Sequence, residues 1–170
     1  GSSGAASAVE QTARMLRAAG ADTVMLQPCM VPHWVRGDKE VGKATLVDGK
    51  KIDLNIVALG NAVGTPVNGI SAEIVEVKNF QELEKLGTEN VKGKIVFYNY
   101  RMDPRYINTF QAYGEAGVYR GAGPSRAAAL GAIGVIVRTL SPVLDDHPHT
   151  GATRYEEGKP KIPAVAISTN

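Results

Sequence analysis

The sequence is poor in the residues from which catalytic and metal centres are most often built. It contains three histidines and one cysteine among 170 residues, so no intramolecular disulfide can form. None of the motifs G-x-S-x-G, H-E-x-x-H or C-x-x-C occurs, which removes the defining residues of α/β-hydrolases, zincins and thioredoxin-like enzymes. We interpret the single thiol, Cys29, as a small buried hydrophobe rather than a nucleophile.

The sequence also lacks an excess of charge of one sign and any long apolar run. Its 19 basic and 17 acidic residues leave a net charge of +2, whereas nucleic-acid binding requires a concentrated basic face. No apolar stretch approaches the roughly 18 residues that would indicate a membrane span. We therefore expect neither a nucleic-acid partner nor a membrane span. The hydrophobic fraction of 44% is that of an ordinary globular domain.

The first residues predict a helix followed by a strand. Apolar residues at spacings of three and four predict a helix over about residues 3–19, and a strand is predicted at 23–27. From Pro28 onward the pattern changes to short extended segments. We therefore draw a domain boundary that separates residues 1–28 from residues 29–170.

The remainder of the chain predicts strands first and then alternating strands and helices. Asp48-Gly49 is a strong two-residue hairpin signal, and Asn79 with Glu82 is typical of a capping box. Asp103-Pro104 is typical of a helix start. Hairpins followed by a β–α–β section predict an α+β domain built around a sheet or sandwich. The predicted strands are 44–47, 51–59, 70–77, 94–98, 133–137 and 162–167, and the predicted helices are 79–87, 103–113 and 125–130.

A glycine-rich segment, Gly121-Ala-Gly-Pro-Ser-Arg126, is the nearest approach to a dinucleotide-binding fingerprint. Arg126 replaces the third glycine, and no acidic residue follows at a strand end about 20 residues later. We interpret the segment as a glycine loop that lets a short helix pack closely against a strand. The same helix start could hold an anion such as a carboxylate, with Arg120 or Arg126 beside it.

The only paired histidines, His147 and His149, lie in a polar loop. Their alternation in an extended segment would place both rings on one side, where Asp145, Asp146 or Glu156 would have to complete a zinc site. No third ligand is fixed by spacing. The alternative is a loop that borders a substrate or packs against a partner.

Tyrosines are concentrated in one stretch of the sequence. Five of the six lie between Tyr98 and Tyr119, together with Arg101, Arg105 and Arg120. Tyrosine and arginine gather at interfaces and ligand rims. An ordinary half-buried surface would have the same composition, and the sequence does not separate the two.

Four segments in this order resemble the protease-associated (PA) domain. They are 91–97 (VKGKIVF), 113–123 (YGEAGVYRGAG), 125–137 (SRAAALGAIGVIV) and 162–168 (IPAVAIS). The resemblance implies a swivelling β/β/α domain in which β-sandwich-like sheets carry short helices.

Three further segments are similar to the PA domains of metallopeptidase family twenty-eight, in its carboxypeptidase Q branch. They are 31–37 (VPHWVRG), 101–106 (RMDPRY) and 147–151 (HPHTG). The resemblance implies that residues 1–28 are the leading helix and strand of the α/β peptidase domain. Residues 29–170 would then be the PA domain, which we expect to continue beyond Asn170.

The family resemblance also separates this chain from the catalytic centre. The family binds two zinc ions through His, Asp and Glu, beginning with an H-x-D motif that follows the PA domain, and no H-x-D occurs here. The resemblance therefore implies a non-catalytic segment without a cofactor of its own. The parent protein would be a zinc-dependent aminopeptidase, carboxypeptidase or dipeptidase that is secreted or periplasmic.

Within such a protein, the resemblance implies a lid or wall that limits substrate access. Its partners would be the catalytic domain of the same polypeptide, a short peptide substrate and a second copy of the protein. The alternatives are a stand-alone peptide-binding module and a small metal-dependent hydrolase that uses the two paired histidines. The candidate substrate-rim or interface residues are Tyr119, Arg120, Gly121, Gly123, His147 and His149. None of these residues is expected to be catalytic or to bind a metal.

Overall fold

The computed structural model describes residues 2–170 and divides the chain into two compact units, Gly1–Val35 and Arg36–Asn170. The first unit contains helix α1 (Ser3–Ala18) followed by an irregular segment. The Ser2 hydroxyl caps the helix by accepting a hydrogen bond from the Ala5 N–H at 3.1 Å. The N-terminal helix is thus confirmed, and the division follows Val35, whereas the sequence pattern places a boundary after residue 28.

Two expectations for the first unit are wrong. Residues 23–27 form no strand. A segment with a β-type sequence pattern becomes a strand only where a neighbouring strand forms hydrogen bonds with its backbone N–H and C=O groups. No strand between residues 2 and 170 pairs with them. Cys29 is exposed rather than buried, since it lies in the same irregular segment.

The second unit contains two sheets and three helices within the described residues. The strands are β1 (Gly42–Thr45), β2 (Lys51–Leu54), β3 (Ile56–Ala58), β4 (Ile74–Val77), β5 (Ile95–Tyr98), β6 (Gly134–Arg138) and β7 (Ala164–Ile167), and the helices are α2 (Phe80–Val91), α3 (Thr109–Gly121) and α4 (Gly123–Ala129). Strands β4 to β7 are parallel in a five-stranded sheet of order β3-β7-β6-β5-β4. Strand β3 is antiparallel at its edge, and β1 and β2 form a separate hairpin.

The core lies between this sheet and the three helices. Val96 and Tyr98 of β5, with Val135 and Val137 of β6, are almost completely buried. Helix α2 contacts β4, and α4 contacts β6 and α3. The alternation of buried residues along the strands directs one set of side chains towards these helices. The observed architecture is therefore the mixed α+β fold that the sequence predicts.

The hairpin β1–β2 lies against the opposite face of the sheet. The hairpin turns at the predicted place, but its loop has three residues, 47–49, instead of two, because the Leu46 N–H donates to the Lys50 carbonyl at 2.8 Å. Gly49 has a positive φ of 83° and Asp48 does not, and the Asp48 carboxylate accepts the Lys50 N–H at 2.9 Å. Gly42 allows close approach, since a Cβ there would lie 2.8 Å from Ile56 Cδ1. The hairpin therefore covers part of the face that carries no helix.

Helix α2 begins as predicted. The Asn79 side chain accepts the Glu82 N–H at 2.8 Å, as in a capping box. The Glu82 carboxylate accepts the N–H of Lys78 at 2.7 Å instead of that of Asn79. Gly87, the predicted end of the helix, has a φ of 65° and kinks the chain there. One more turn follows, so the helical segment ends at Val91 instead.

The predicted start of the next helix is wrong. The Asp103 carboxylate does not cap a helix: it binds the N–H and guanidinium of Arg105. This contact lowers the pKa of Asp103 to about 2. Asn108 is the actual cap, because its side chain accepts the Phe110 N–H at 3.0 Å. Helix α3 therefore begins at Thr109. It ends at Gly121, inside the segment that the glycine pattern predicts to be a loop.

None of the helices described between residues 2 and 170 has the length and hydropathy required to cross a membrane.

Candidate functional site

Tyr119, which the sequence predicts at a substrate rim or interface, has its side chain in the core. Its side chain is 8% exposed, and its ring centroid lies 4.7 Å from that of Phe80 and 4.8 Å from that of Tyr100. Burial raises the pKa of the Tyr119 phenol. The aromatic residue that the sequence places at a surface is therefore part of the packing between α3 and the sheet.

Gly123 allows α4 to approach β5. A Cβ at this position would lie 2.8 Å from Tyr98 Cε2, and the Tyr98 hydroxyl donates to the Gly123 carbonyl at 3.0 Å. The Tyr98 side chain is fully buried, which raises the pKa of its phenol. The predicted close contact between a short helix and a strand is confirmed, but the predicted glycine loop is wrong, because Gly121 ends α3 and Gly123 begins α4.

Gly121 connects the end of α3 to the segment that follows the paired histidines. Its carbonyl accepts hydrogen bonds from the Thr153 hydroxyl at 3.1 Å and from the Arg154 N–H at 2.9 Å. The Thr153 side chain is completely buried. These hydrogen bonds therefore join the end of α3 to residues 153–154, which are distant from it in the sequence.

Arg120 of α3 lies in the same contact region between this helix and the loop that contains His147 and His149. Its guanidinium donates to the Tyr113 hydroxyl at 2.7 Å and stacks 5.2 Å from the centre of that ring. A Cβ at Gly151 would lie 2.5 Å from Arg120 Cζ, so the guanidinium rests directly against the loop backbone. The structure thus brings Arg120 into contact with the second predicted segment.

The two histidines are held through their main chain. The His149 N–H donates to the buried Thr139 hydroxyl at 2.9 Å, and the His147 N–H donates to the Asp145 carboxylate at 2.8 Å. The His147 side chain is 87% exposed. In the part of the chain that the structure describes, no group of three His, Cys, Asp or Glu side chains is placed to hold a metal ion. A zinc site at this loop therefore lacks its third ligand.

A carboxylate that the sequence does not single out organises the tyrosine-rich stretch. Glu115 of α3 accepts hydrogen bonds from the Tyr106 hydroxyl at 2.7 Å and from the Tyr100 hydroxyl at 3.1 Å. Burial, followed by the bond to Glu115, raises the pKa of Tyr100 to about 12. The bond to Glu115 also raises the pKa of Tyr106. The clustering of tyrosines was visible in the sequence, but their shared acceptor was not.

A second set of polar side chains is joined by hydrogen bonds at the carboxyl ends of the parallel strands. The Asn99 amide donates to the Glu76 carboxylate at 2.9 Å, and the Arg138 guanidinium donates to the Asn99 side-chain oxygen at 3.1 Å. The Arg138 Nε is buried without a hydrogen-bond partner. These three residues lie on three adjacent strands or strand ends, so no sequence spacing indicates their proximity.

Comparison with known proteins identifies relatives of nearly the whole chain. No family model matches. The sequence is 43% identical over 147 residues to carboxypeptidase Q of Xenopus laevis, which covers 86% of this chain and 29% of that protein. It is 34% identical over 168 residues to carboxypeptidase Q of Homo sapiens, which covers 99% of this chain and 33% of that protein. The chain therefore spans about a third of the length of the curated relatives it matches.

The fold is similar to a solved structure from a bacterium. The crystal structure of a peptidase M28 precursor from Shewanella amazonensis SB2B superposes with a TM-score of 0.86 at 35% sequence identity. The match covers 99% of this chain and 37% of that one. The mixed α+β arrangement described above is thus shared with that protein.

Proposed function

Because this chain is homologous over nearly its whole length to carboxypeptidase Q and to a peptidase of family M28, we propose that it is the PA domain, with a leading helix, of a zinc-dependent exopeptidase. In this proposal the chain itself does not hydrolyse peptides. It forms a lid or wall beside the active site and limits access to short peptides.

The observation that carries this proposal is the arrangement of possible metal ligands. A two-metal hydrolase needs several His, Asp and Glu side chains that converge on paired ions. Residues 2–170 contain no group of even three such side chains in a suitable position. The residues present therefore do not fit the zinc ions of the proposed parent enzyme. Two zinc ions would be held by a catalytic domain of the same polypeptide.

Arg120 is the residue that we propose for contact with substrate. A guanidinium is well suited to binding the terminal carboxylate of a short peptide. The other candidate, Arg126, already pairs with Glu84 at 3.3 Å and stacks 4.2 Å from the Phe80 ring centre. Arg120 contacts the neutral phenol of Tyr113 and the backbone of Gly151. Among residues 2–170, no carboxylate pairs with Arg120, whereas Glu84 pairs with Arg126, so the charge of Arg120 is the better placed of the two for a ligand.

Beyond the substrate, we propose that the parent protein is secreted or periplasmic, and that a second copy is a further partner. The homology to carboxypeptidase Q supports the proposed location alone. The exposed loop at His147 and His149 would border the active-site cleft or an interface, together with Gly121 and Gly151.

Hydrolysis of a panel of dipeptides tests the proposal directly. The 170-residue chain is assayed with added zinc beside a longer chain that continues past Asn170. We expect only the longer chain to cleave, and a chelator to abolish that cleavage. Chelator-sensitive cleavage by the 170-residue chain itself would overturn the proposal and direct attention to the loop of His147 and His149.

A further inference from the structure

A turn on the second unit contains the only Asn-Gly pair in the sequence, Asn68-Gly69. The Gly69 N–H donates to the Pro66 carbonyl at 2.8 Å, so Val67 and Asn68 are the central residues of a β-turn. Both of these residues are exposed, and Gly69 has a positive φ of 73°. The asparagine side chain and the backbone nitrogen that follows it therefore lie together at the surface of this unit.

The Asn68 side chain forms no hydrogen bond with any residue between 2 and 170. Most other asparagine side chains are engaged, either with backbone groups or with charged side chains. The asparagines whose side chains form hydrogen bonds are Asn61, Asn79, Asn90, Asn99 and Asn108. Such bonds fix the direction of a side-chain amide, whereas the amide of Asn68 is free to turn towards its own main chain.

Gly69 provides an unhindered backbone nitrogen next to that amide. Every other asparagine that has a following residue is followed by one with a side chain, which crowds the nitrogen. A Cβ built at Gly69 would meet no heavy atom within 4 Å, so the surroundings also leave room for a ring to close. Glycine adopts most backbone conformations without steric cost, and the turn can therefore rearrange at this residue.

The hydrogen bond between Gly69 and Pro66 opposes ring closure, because it engages the nitrogen that must attack. One exposed backbone hydrogen bond of ordinary strength slows a reaction that requires its opening by about tenfold or less. Surface turns with few buried contacts open locally at low cost in free energy. The folded turn therefore slows the attack without preventing it.

From these observations we propose that Asn68 is a site of spontaneous deamidation. The Gly69 nitrogen loses its proton to hydroxide and bonds to Asn68 Cγ, and the side-chain nitrogen takes up a proton and leaves as ammonia. The resulting succinimide adds one water molecule, and opening at one or the other of its two carbonyl groups gives aspartate or isoaspartate. Ammonia is exchanged for water, and nothing is oxidised or reduced. The reaction needs no partner and is independent of the proposed peptidase role.

The product changes both the charge and the length of the main chain at this turn. A carboxylate replaces a neutral amide, which lowers the net charge of +2 by one. In isoaspartate the main chain runs through the side-chain carbon, which adds one atom between Asn68 and Gly69. That extra atom disturbs the spacing of the hydrogen bond from Gly69 to Pro66. We therefore expect hydrogen exchange at the Gly69 amide to accelerate severalfold in the isoaspartate form.

Incubation of the 170-residue chain in H₂¹⁸O, followed by digestion in ordinary water and mass spectrometry of the peptides, tests the proposal. The five hydrogen-bonded asparagines are internal controls in the same sample, and the chain unfolded in urea gives the reference rate. We expect Asn68 to take up ¹⁸O faster than any of them in the folded chain, at a rate within about tenfold of its own rate in urea. Its rate should rise in proportion to hydroxide concentration, and isoaspartate should be among the products.

Substitutions in the turn separate the steps. Asn68→Gln keeps an amide but would have to close a larger ring, so ¹⁸O uptake at this position should fall below detection. Gly69→Ala crowds the attacking nitrogen and should slow uptake in the urea-unfolded chain, where strain in the turn has no effect. Asn68→Asp carries the new charge without the extra main-chain atom. Its Gly69 amide should therefore exchange within about twofold of the original rate.

Three results would overturn the proposal. The first is that Asn68 keeps its amide in the folded chain over a period in which half of it is converted in urea. A second is faster ¹⁸O uptake in the folded chain at any other asparagine. The third is a product that contains aspartate without isoaspartate, since water would then attack the side-chain amide directly and Gly69 would take no part.

Discussion

Gly151 lies so close to Arg120 that a Cβ on the glycine would come within 2.5 Å of the guanidinium carbon. Thirty-one positions along the chain separate the two residues. The contact unites the two segments in which the sequence places its candidate rim residues. It also fixes the guanidinium between the loop backbone and the Tyr113 hydroxyl.

The first prediction concerns this contact. In the longer chain that cleaves dipeptides, we expect Gly151→Ala to raise KM with little change in kcat, because the added methyl group displaces the guanidinium that is proposed to hold the substrate carboxylate. The free energy of unfolding should fall by less than about 1 kcal/mol, since the end of a flexible side chain moves more easily than backbone.

Gly64→Ala is the matched control for that substitution. A Cβ added at Gly64 would meet no heavy atom within 4 Å, and Gly64 has no positive φ. The KM of the Gly64→Ala variant should therefore equal that of the original chain. An unchanged KM for Gly151→Ala, or an equal rise in both variants, would remove Arg120 from the proposed rim.

A second prediction separates two glycines that are two residues apart. Gly123→Ala should lower the free energy of unfolding by about 1–3 kcal/mol, because its Cβ would meet the rigid, buried ring of Tyr98. Gly121→Ala should be neutral or slightly stabilising, since nothing lies within 4 Å of its Cβ and alanine favours a helix. Urea unfolding followed by circular dichroism measures both. Equal losses would contradict the packing described for α4.

The turns and helix starts that were predicted correctly depend on only a few neighbouring residues. The hairpin at Asp48-Gly49 and the Asn79 cap are each set by local backbone chemistry, and both occur in the structure, although the hairpin loop has three residues instead of two. Asp103-Pro104 fails under the same rule. The carboxylate that should cap a helix is occupied by Arg105, and sequence spacing alone does not reveal that competing contact.

Features that depend on tertiary packing could not be predicted from the sequence. The glycines near the end of α3 suggested a loop, but Gly121 lies within that helix, and a Cβ at Gly123 would come within 2.8 Å of Tyr98 Cε2. The hydrogen bonds that join Glu76, Asn99 and Arg138 depend on which strands become neighbours. That order is fixed by the whole sheet and is not contained in any segment of the sequence.

A third prediction concerns the buried hydroxyl that holds the histidine loop. Thr139→Val preserves shape but removes the acceptor for the His149 N–H, so we expect a loss of about 1–2 kcal/mol in the free energy of unfolding. Amide exchange at His149 should accelerate as well. His149→Ala keeps the N–H and should change stability by less than about 0.5 kcal/mol. A larger effect of His149→Ala than of Thr139→Val would show that the imidazole anchors the loop.

The fourth prediction concerns zinc. After equilibrium dialysis against a zinc-containing buffer and then zinc-free buffer, the 170-residue chain should retain no stoichiometric zinc by atomic absorption. The reason is that residues 2–170 do not bring three suitable ligands together, whereas structural zinc sites use four. His147→Ala and His149→Ala should give the same result. Retention of one zinc ion that either substitution abolishes would establish the small metal-dependent hydrolase as the better hypothesis.

The last prediction uses the tyrosines that share Glu115. The pKa of Tyr100 is about 12 in the folded chain against an ordinary value of 10.0, and the pKa values of Tyr98, Tyr106 and Tyr119 are also raised. A phenol whose pKa is raised by folding binds its proton more tightly in the folded state. Its contribution to stability is therefore complete below pH 10 and is lost as the pH rises towards 12.

We expect the urea midpoint to fall across this pH window, together with the rise of tyrosinate absorbance. Glu115→Gln replaces the anionic acceptor by a neutral amide, so the pKa of Tyr100 should move towards 10.0 and absorbance should rise at lower pH. Tyr100→Phe is the control, because it removes the titrating group and should make the alkaline fall in the midpoint smaller. If Glu115→Gln leaves the absorbance titration unchanged, Glu115 does not hold these phenols in solution, and the stretch between β5 and α3 must be anchored by other contacts.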